Sequence, residues 1–382
     1  MKKIGGLLFG LLIILTKPVL ARTGFPVGSK TVGEQPAKIR EFTITENDTT
    51  SYTLKLALNT SDEPQYFFRN VFTPVCLTGE CKPVYINFYW DLLGNYTHFD
   101  FPPGEVLTKM DHREFKPEDY AKLQDILSNQ SSLLKDVAME DLVGKGTENL
   151  ADSVDAKAGA TLKTVKNEVI DGAVYTCYTL WHLAHGTVVD EMLKITETYR
   201  TDALLHRFLS SNNHHYQYWA MERIMDTKGN VMNPFANDLM QIMRSKNVFT
   251  ARYALQKVNN GFFAETNRQN WLWATYQQAA YPLQIAILKK LATIPFRPPL
   301  AEKTAQALGN ANPEQFKLML NALAAQPNLP DKTVQLLANH LSHSNADYTA
   351  EIHKVLTRLQ PKNPVVRSKM KHYQTSRSPT PN

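Results

Sequence analysis

Residues 83–101 read PVYINFYWDLLGNYTHFDF, and this stretch decides how the first half of the chain is built. Val84, Ile86, Phe88 and Trp90 alternate with Tyr85, Asn87 and Tyr89. That period of two is the pattern of a strand with two unlike faces. Asp91 to Asn95 supply turn residues, and Tyr96 to Phe101 resume the strand. The stretch therefore predicts a β-hairpin, Val84–Trp90 paired with Tyr96–Phe101. Upstream, alternation begins at Glu41 and runs through FTITEN (42–47) and SYTLKLALNT (51–60), which predict two more strands. Downstream, FKPEDYAKLQDILSNQSSLL (115–134) changes period. Pro117 and Glu118 suit a helix's first turn, and Tyr120, Leu123, Ile126 and Leu127 share one apolar face. After a polar stretch from Gly144 to Ser153, a further helical run reaches Gly186. Strands with helices beside them make an α+β domain over residues 41–186.

Beyond Asp190 the strand pattern stops and paired helical segments recur. The second helices of the pairs are YWAMERIM, ARYALQKV, LQIAILKKL, FKLMLNALA and AEIHKVLTRL. Ala220, Ala254, Ala286, Met319 and Ile352 occupy comparable positions, at spacings of 34, 32, 33 and 33. First helices such as FANDLMQIM, LAEKTAQAL and KTVQLLANHL precede them across short polar turns. A helical hairpin repeated at that period cannot bury its apolar face alone and must stack on its neighbours. Residues 190–360 thus resemble HEAT-type repeats, which implies an all-α helical-repeat domain, an α-solenoid.

The ends of the chain set the compartment. Met1 to Ala21 reads MKKIGGLLFGLLIILTKPVLA: two lysines, an apolar run from Ile4 to Leu15, then small residues before Arg22. This is the three-part pattern of a secretory signal, with cleavage after Ala21 expected and a leader over 22–40. The run is too short to span a bilayer, and no later stretch approaches that length. The mature protein is expected to be exported, periplasmic or extracellular, without a transmembrane segment. The formal charge is +6, but Lys2, Lys3 and Lys17 lie in the signal, and Lys362, Arg367, Lys369, Lys371 and Arg377 lie in the last 22 residues. The body between them is slightly acidic, which argues against nucleic acid as a partner. The tail, 361–382, is basic and rich in Pro and Ser and is expected to be disordered. Asn47, Asn59, Asn95 and Asn129 stand in glycosylation sequons, which matter only in a eukaryotic secretory route.

Export permits a disulfide. Cys76 and Cys81 flank Gly79 in VCLTGECKP and are expected to be bridged, closing a small loop. Two cysteines make no zinc site, and Cys177 is left as a small buried hydrophobe. His182 and His185 in WHLAH could share a helix face, with packing the expected role in the absence of a matching carboxylate. Asp111, His112 and Arg113 form a polar loop, His214 and His215 a repeat turn, and Trp271, Trp273 and Tyr276 core positions of the repeats. No nucleophile elbow, zinc-protease or P-loop pattern is present, so no residue is assigned a catalytic role.

One motif remains. Residues 155–161 read DAKAGAT. Gly159 and Ala160 let the backbone approach an anion and offer its N–H groups. A helix starting near Leu162 would add its N-terminus, and Thr161 a hydroxyl. The run resembles the flavin-attachment signature of FMN-binding domains in the flavinylated subunits of sodium-pumping NADH:quinone reductases and Rnf complexes. In that family D-x-x-S/T-G-A-T ends in a threonine that carries FMN through a phosphoester. The resemblance covers about residues 80–175 and implies FMN at Thr161, with Asp155, Gly159 and Ala160 shaping the site. It also implies a flavin transferase as partner and electron transfer rather than substrate turnover, with an unknown redox or envelope protein docked on the helical repeats. Ala158 stands where the family has Ser or Thr, which removes one hydroxyl from the phosphate's surroundings. The alternative is a cofactor-free periplasmic scaffold on the same fold.

Overall fold

The computed structural model describes residues 36–48, 50–75, 81–109, 112–142 and 166–377. Two compact units result, one ending at Thr198 and the other beginning at Tyr199.

In the first unit five strands form one antiparallel sheet in chain order: β1 (Lys38–Asn47), β2 (Thr50–Leu58), β3 (Pro64–Thr73), β4 (Val84–Trp90) and β5 (Tyr96–Asp100). The predicted hairpin is present. In its turn the Asp91 carboxylate accepts from the backbone N–H groups of Leu93 and Asn95, at 2.8 and 3.0 Å. Gly94 has φ 75, and a Cβ there would meet Val189 Cγ1 at 2.8 Å, so only glycine fits. Strand β3 is absent from the sequence reading. Its register explains why: Phe67 faces the core opposite Trp90, while Phe68 faces outward opposite Tyr89. Both faces carry aromatics, so no apolar–polar alternation marks it.

The inner face buries Leu54, Leu56, Phe67, Ile86, Phe88, Trp90 and Phe99 completely. Each such side chain contributes roughly 1.5–3 kcal/mol. Helices α1 (Pro117–Ser128) and α2 (Val174–His185) pack with it, and Trp90 Nε1 donates to Ala184 O at 2.8 Å. The outer face carries a polar ladder across four strands. Lys55 donates to Asn70, Asn70 to Asn87 and Asn87 to Asp100, at 2.9, 2.7 and 2.6 Å. Beside it Phe68, Tyr89 and His98 stack, the last two at 4.3 Å.

Helix α3 (Val188–Thr198) belongs to this unit, whereas the sequence reading ended the domain near Gly186 and began the repeats at Asp190. Met192 is fully buried, and Thr196 Oγ1 donates to Leu92 O in the hairpin turn at 2.5 Å.

The second unit is all-α: α4 (Asp202–Ser210), α5 (His214–Ile224), α6 (Ala236–Met243), α7 (Val248–Lys257), α8 (Thr266–Gln278), α9 (Tyr281–Leu291), α10 (Pro298–Ala307), α11 (Pro313–Ala324), α12 (Asp331–Asn339), α13 (Ala346–Leu359) and α14 (Pro364–Arg377). The second helices α5, α7, α9, α11 and α13 form one layer, each packed on the next. The first helices lie against them. Asparagines recur as N-caps of the second helices. Asn213, Asn247, Asn312 and Asn345 each accept from a backbone N–H of the first turn, at 2.9–3.1 Å. Ala280 holds the equivalent place before α9.

Helix α14 corrects the expectation of a disordered tail over 361–377, while 378–382 lie outside the described residues. Val366 is fully buried, and Tyr373 stacks on His353 at 5.0 Å. Arg367, Lys369 and Lys371 face outward from a helix whose few apolar side chains close this end of the stack. No helix among the described residues is long and apolar enough to cross a membrane.

Candidate functional site

Two concave sites stand out, one in each unit. In the first, a cleft of about 310 Å³ lies between the hairpin turn, the loop after α1, and helices α2 and α3. Trp181, His182, His185, Lys135 and Gln130 line it with the turn residues. The two imidazoles are three residues apart on α2 and so share a face. His182 Nε2 meets Leu134 O at 2.9 Å and His185 Nε2 meets Leu127 O at 2.7 Å. A carbonyl only accepts, so both rings carry hydrogen on Nε2. Trp181 Nε1 donates to Asn129 O at 2.9 Å. Burial lowers the pKa of His185, which keeps that ring neutral near pH 7. The histidines thus pin α2 to the last turn of α1, through His185, and to the loop after it, through His182. Among the described residues no three His, Cys, Asp or Glu side chains gather to hold a metal.

Asp155, Gly159, Ala160 and Thr161 lie outside the described residues, as do Ala158, Cys76 and Asp111. The chain on either side of that segment is fixed in the core: Leu142 is fully buried, and Val169 and Ile170 nearly so. Glu168 accepts from Ser132 Oγ at 2.7 Å and Asn129 Nδ2 at 3.3 Å, beside Gln130 of the cleft. Cys81 is disulfide-bonded, while Cys177 is buried and its sulfur accepts from Ile170 N at 3.4 Å. His112 and Arg113 are exposed at a tight turn, where His112 takes φ 54. His214 and His215 are exposed in the first turn of α5 rather than in the preceding loop. Trp273 and Tyr276 are buried, and Trp271 is half-buried.

The second site is larger, a cleft of about 750 Å³ across the layer of second helices. Helix α9 contributes Tyr281, Pro282, Ile285, Ala286, Lys289 and Lys290, which recur at i, i+4 and i+8 and so lie on one face. Helix α7 contributes Arg252, Leu255, Gln256 and Lys257, and the turn after α5 contributes Lys228. The floor is apolar, since Leu255, Val258 and Ile285 are buried. The rim is cationic: Lys228, Arg252, Lys257 and Lys289 are exposed. The lining's single carboxylate, Glu314 at the start of α11, is engaged by Tyr281 Oη at 2.6 Å. Beneath the rim Lys290 is 8% exposed, and its ammonium donates to Val258 O and Asn260 Oδ1 at 2.7 and 2.8 Å. Both acceptors are neutral, and burial pulls the group down to about 8.

Gly229 brings two of these turns together. It has φ 76, its carbonyl accepts from Asn259 N at 2.7 Å, and a Cβ would meet Lys257 O at 2.2 Å. Lys228 is thereby held beside Lys257. Sequence reading misses this cleft because its cations lie about one repeat apart and only stacking unites them. The signal was nonetheless present: Lys257 in ARYALQKV and Lys289 in LQIAILKKL stand at equivalent places, three residues after Ala254 and Ala286. Comparison with protein-family models, curated proteins and solved structures finds no match to this chain.

Proposed function

We propose that the chain is an exported flavin carrier, with FMN on Thr161 of the first unit and a HEAT-like second unit that docks a redox or envelope partner. The observation that carries this reading is the DAKAGAT run at 155–161, with a threonine at the acceptor position and Gly159 and Ala160 before it. A cleft near that segment supports the reading. The 310 Å³ cleft beside the segment's returning end presents the half-buried imidazoles of His182 and His185 and, at its edge, the exposed Lys135, whose charge suits a phosphate. Its size falls at the lower end of ligand pockets, which run from about 300 to 1,000 Å³. Flavin, once bound, supplies one- and two-electron chemistry. The chain's own part is to hold it, shield it and dock the partner. Among the described residues no acid–base or nucleophilic set accompanies it, which supports electron transfer over turnover.

Coexpression with a flavin transferase tests this. Wild type should give a flavin-fluorescent band on a denaturing gel, and Thr161→Ala should abolish it with the fold intact. Flavin that copurifies but leaves on denaturation would refute the linkage and keep the pocket. No flavin in either form would refute the carrier reading. The second reading, a scaffold without cofactor, is favoured by Ala158. Flavin appearing only in Ala158→Ser would support it.

A further inference from the structure

We propose that the cationic cleft across α7 and α9 binds an acidic protein segment, with carboxylates on its rim and apolar side chains on its floor. This takes the docking role of the second unit from the reading above and gives its partner a chemistry. It does not depend on flavin.

Charge comes first. Four exposed cations, Lys228, Arg252, Lys257 and Lys289, share one concavity with a single carboxylate that already accepts from Tyr281. Lys228 lies close enough to Asp226 to help hold that carboxyl below its ordinary pKa, whereas Arg252, Lys257 and Lys289 form no ion pair with a carboxylate among the described residues. A recess lined by one sign over a low-dielectric floor focuses its field and concentrates ions of the opposite sign. Below the rim Lys290 is buried against neutral acceptors. Its desolvation is thus met in the free protein by dipoles alone, and an anion above it would supply the missing charge.

The spacing of the charges excludes a point anion. Lys228 follows α5, Arg252 and Lys257 belong to α7, and Lys289 belongs to α9. Packed helices lie about 8–10 Å apart, so the rim spans on the order of 20 Å. One phosphate or carboxylate reaches a single pair of these groups. An extended peptide rises about 3.3 Å per residue, so about six residues cover the rim with acids at alternate positions. The alternate side chains then face Leu255, Ile285 and Pro282. Phe249 is 71% exposed and shares a face of α7 with Arg252 and Gln256 by helical spacing, which adds an apolar contact at the rim. A flat lipid surface would leave the recessed floor unfilled, which favours a peptide over a membrane.

The test uses the full mature chain and a fluorescein-labelled peptide of eight residues alternating Glu and Leu, read by anisotropy. Binding should weaken steeply between low and physiological salt. Replacing every Glu by Gln should abolish it. Lys257→Glu with Lys289→Glu should weaken it roughly tenfold or more, with the protein still folding cooperatively and its midpoint lowered only slightly, since both side chains are exposed in the last turns of their helices. A peptide carrying Lys for Glu should bind this reversed variant and not wild type, which guards against a misfolded variant. The proposal is overturned if the Glu and Gln peptides bind alike, if charge reversal leaves affinity unchanged, or if no peptide binds. It is equally overturned if vesicles rich in anionic lipid capture the protein and the peptide does not compete. Flavin content is not read in any arm, so failure here leaves the carrier reading standing, and the reverse holds.

Discussion

Lys290 shows how one buried charge couples the second unit to pH. Its ammonium falls to about 8 from an ordinary 10.5, by burial alone. Below 8 both folded and unfolded chains hold the proton, and the folded state bears the full desolvation cost. Between 8 and 10.5 the unfolded chain binds a proton that the folded chain lacks, so this residue makes stability rise with pH. Tyrosines raised by burial, Tyr276 among them, act the other way once unfolded tyrosine ionises near 10. The comparison therefore sets wild type against Lys290→Met. The wild-type midpoint should climb relative to the variant's from pH 8 to 9.5, and a constant difference would deny the lowered pKa. Lys290 itself was legible only as one of two lysines ending an apolar helix. That it turns inward, while Lys289 stays on the rim, follows from the stacking of α9 on α7.

Among the elements, the loop between α9 and α10 depends on side chains from the repeats on either side. Gln269, buried in α8, donates to Phe263 O and Pro295 O at 2.8 and 2.7 Å and accepts from Arg297 N at 2.8 Å. Gln326, after α11, accepts from Phe296 N at 2.8 Å and donates to Ile294 O at 3.2 Å. Two glutamines thus satisfy four backbone groups of one loop, which could otherwise meet water only by opening the stack. Gln269→Leu keeps the size but removes three hydrogen bonds, and each buried backbone group left alone costs about 1–3 kcal/mol. The second unit should lose several degrees in its melting midpoint, and an unchanged midpoint would mean water replaces the side chain. The hairpin β4–β5 and helix α1 were readable because a clean period marked each. Strand β3 was not, because aromatics on both faces erase the period. The asparagine caps were in the sequence too, as a repeated residue at Asn213, Asn247, Asn312 and Asn345.

At the scale of the whole chain, a stack of repeats exposes an apolar face at its end unless something covers it. Helix α14 does this for the described C-terminal end, with Val366 buried and Thr349 Oγ1 donating to Tyr373 Oη at 3.4 Å. A chain ending at Gln360 should therefore unfold at a lower temperature in its second unit and aggregate more readily. Burial of Val366 alone is worth about 1.5–3 kcal/mol. Equal stability and solubility of the truncated chain would return the tail to the disordered class that its composition suggested. Composition failed there because disorder rests on too little apolar area to offset ordering entropy. A helix docked on an existing surface needs only one or two well-placed side chains. By itself the sequence determined what local periodicity governs: the strand hairpin of 84–100, the helix of 117–128 and the hairpin repeat at its period near 33. Tertiary structure alone decided which unit α3 joins, that α14 closes the stack, and that Lys228, Arg252, Lys257 and Lys289 share a rim. Side-chain period is a property of neighbours along the chain, whereas burial and charge clustering depend on which segments meet in space.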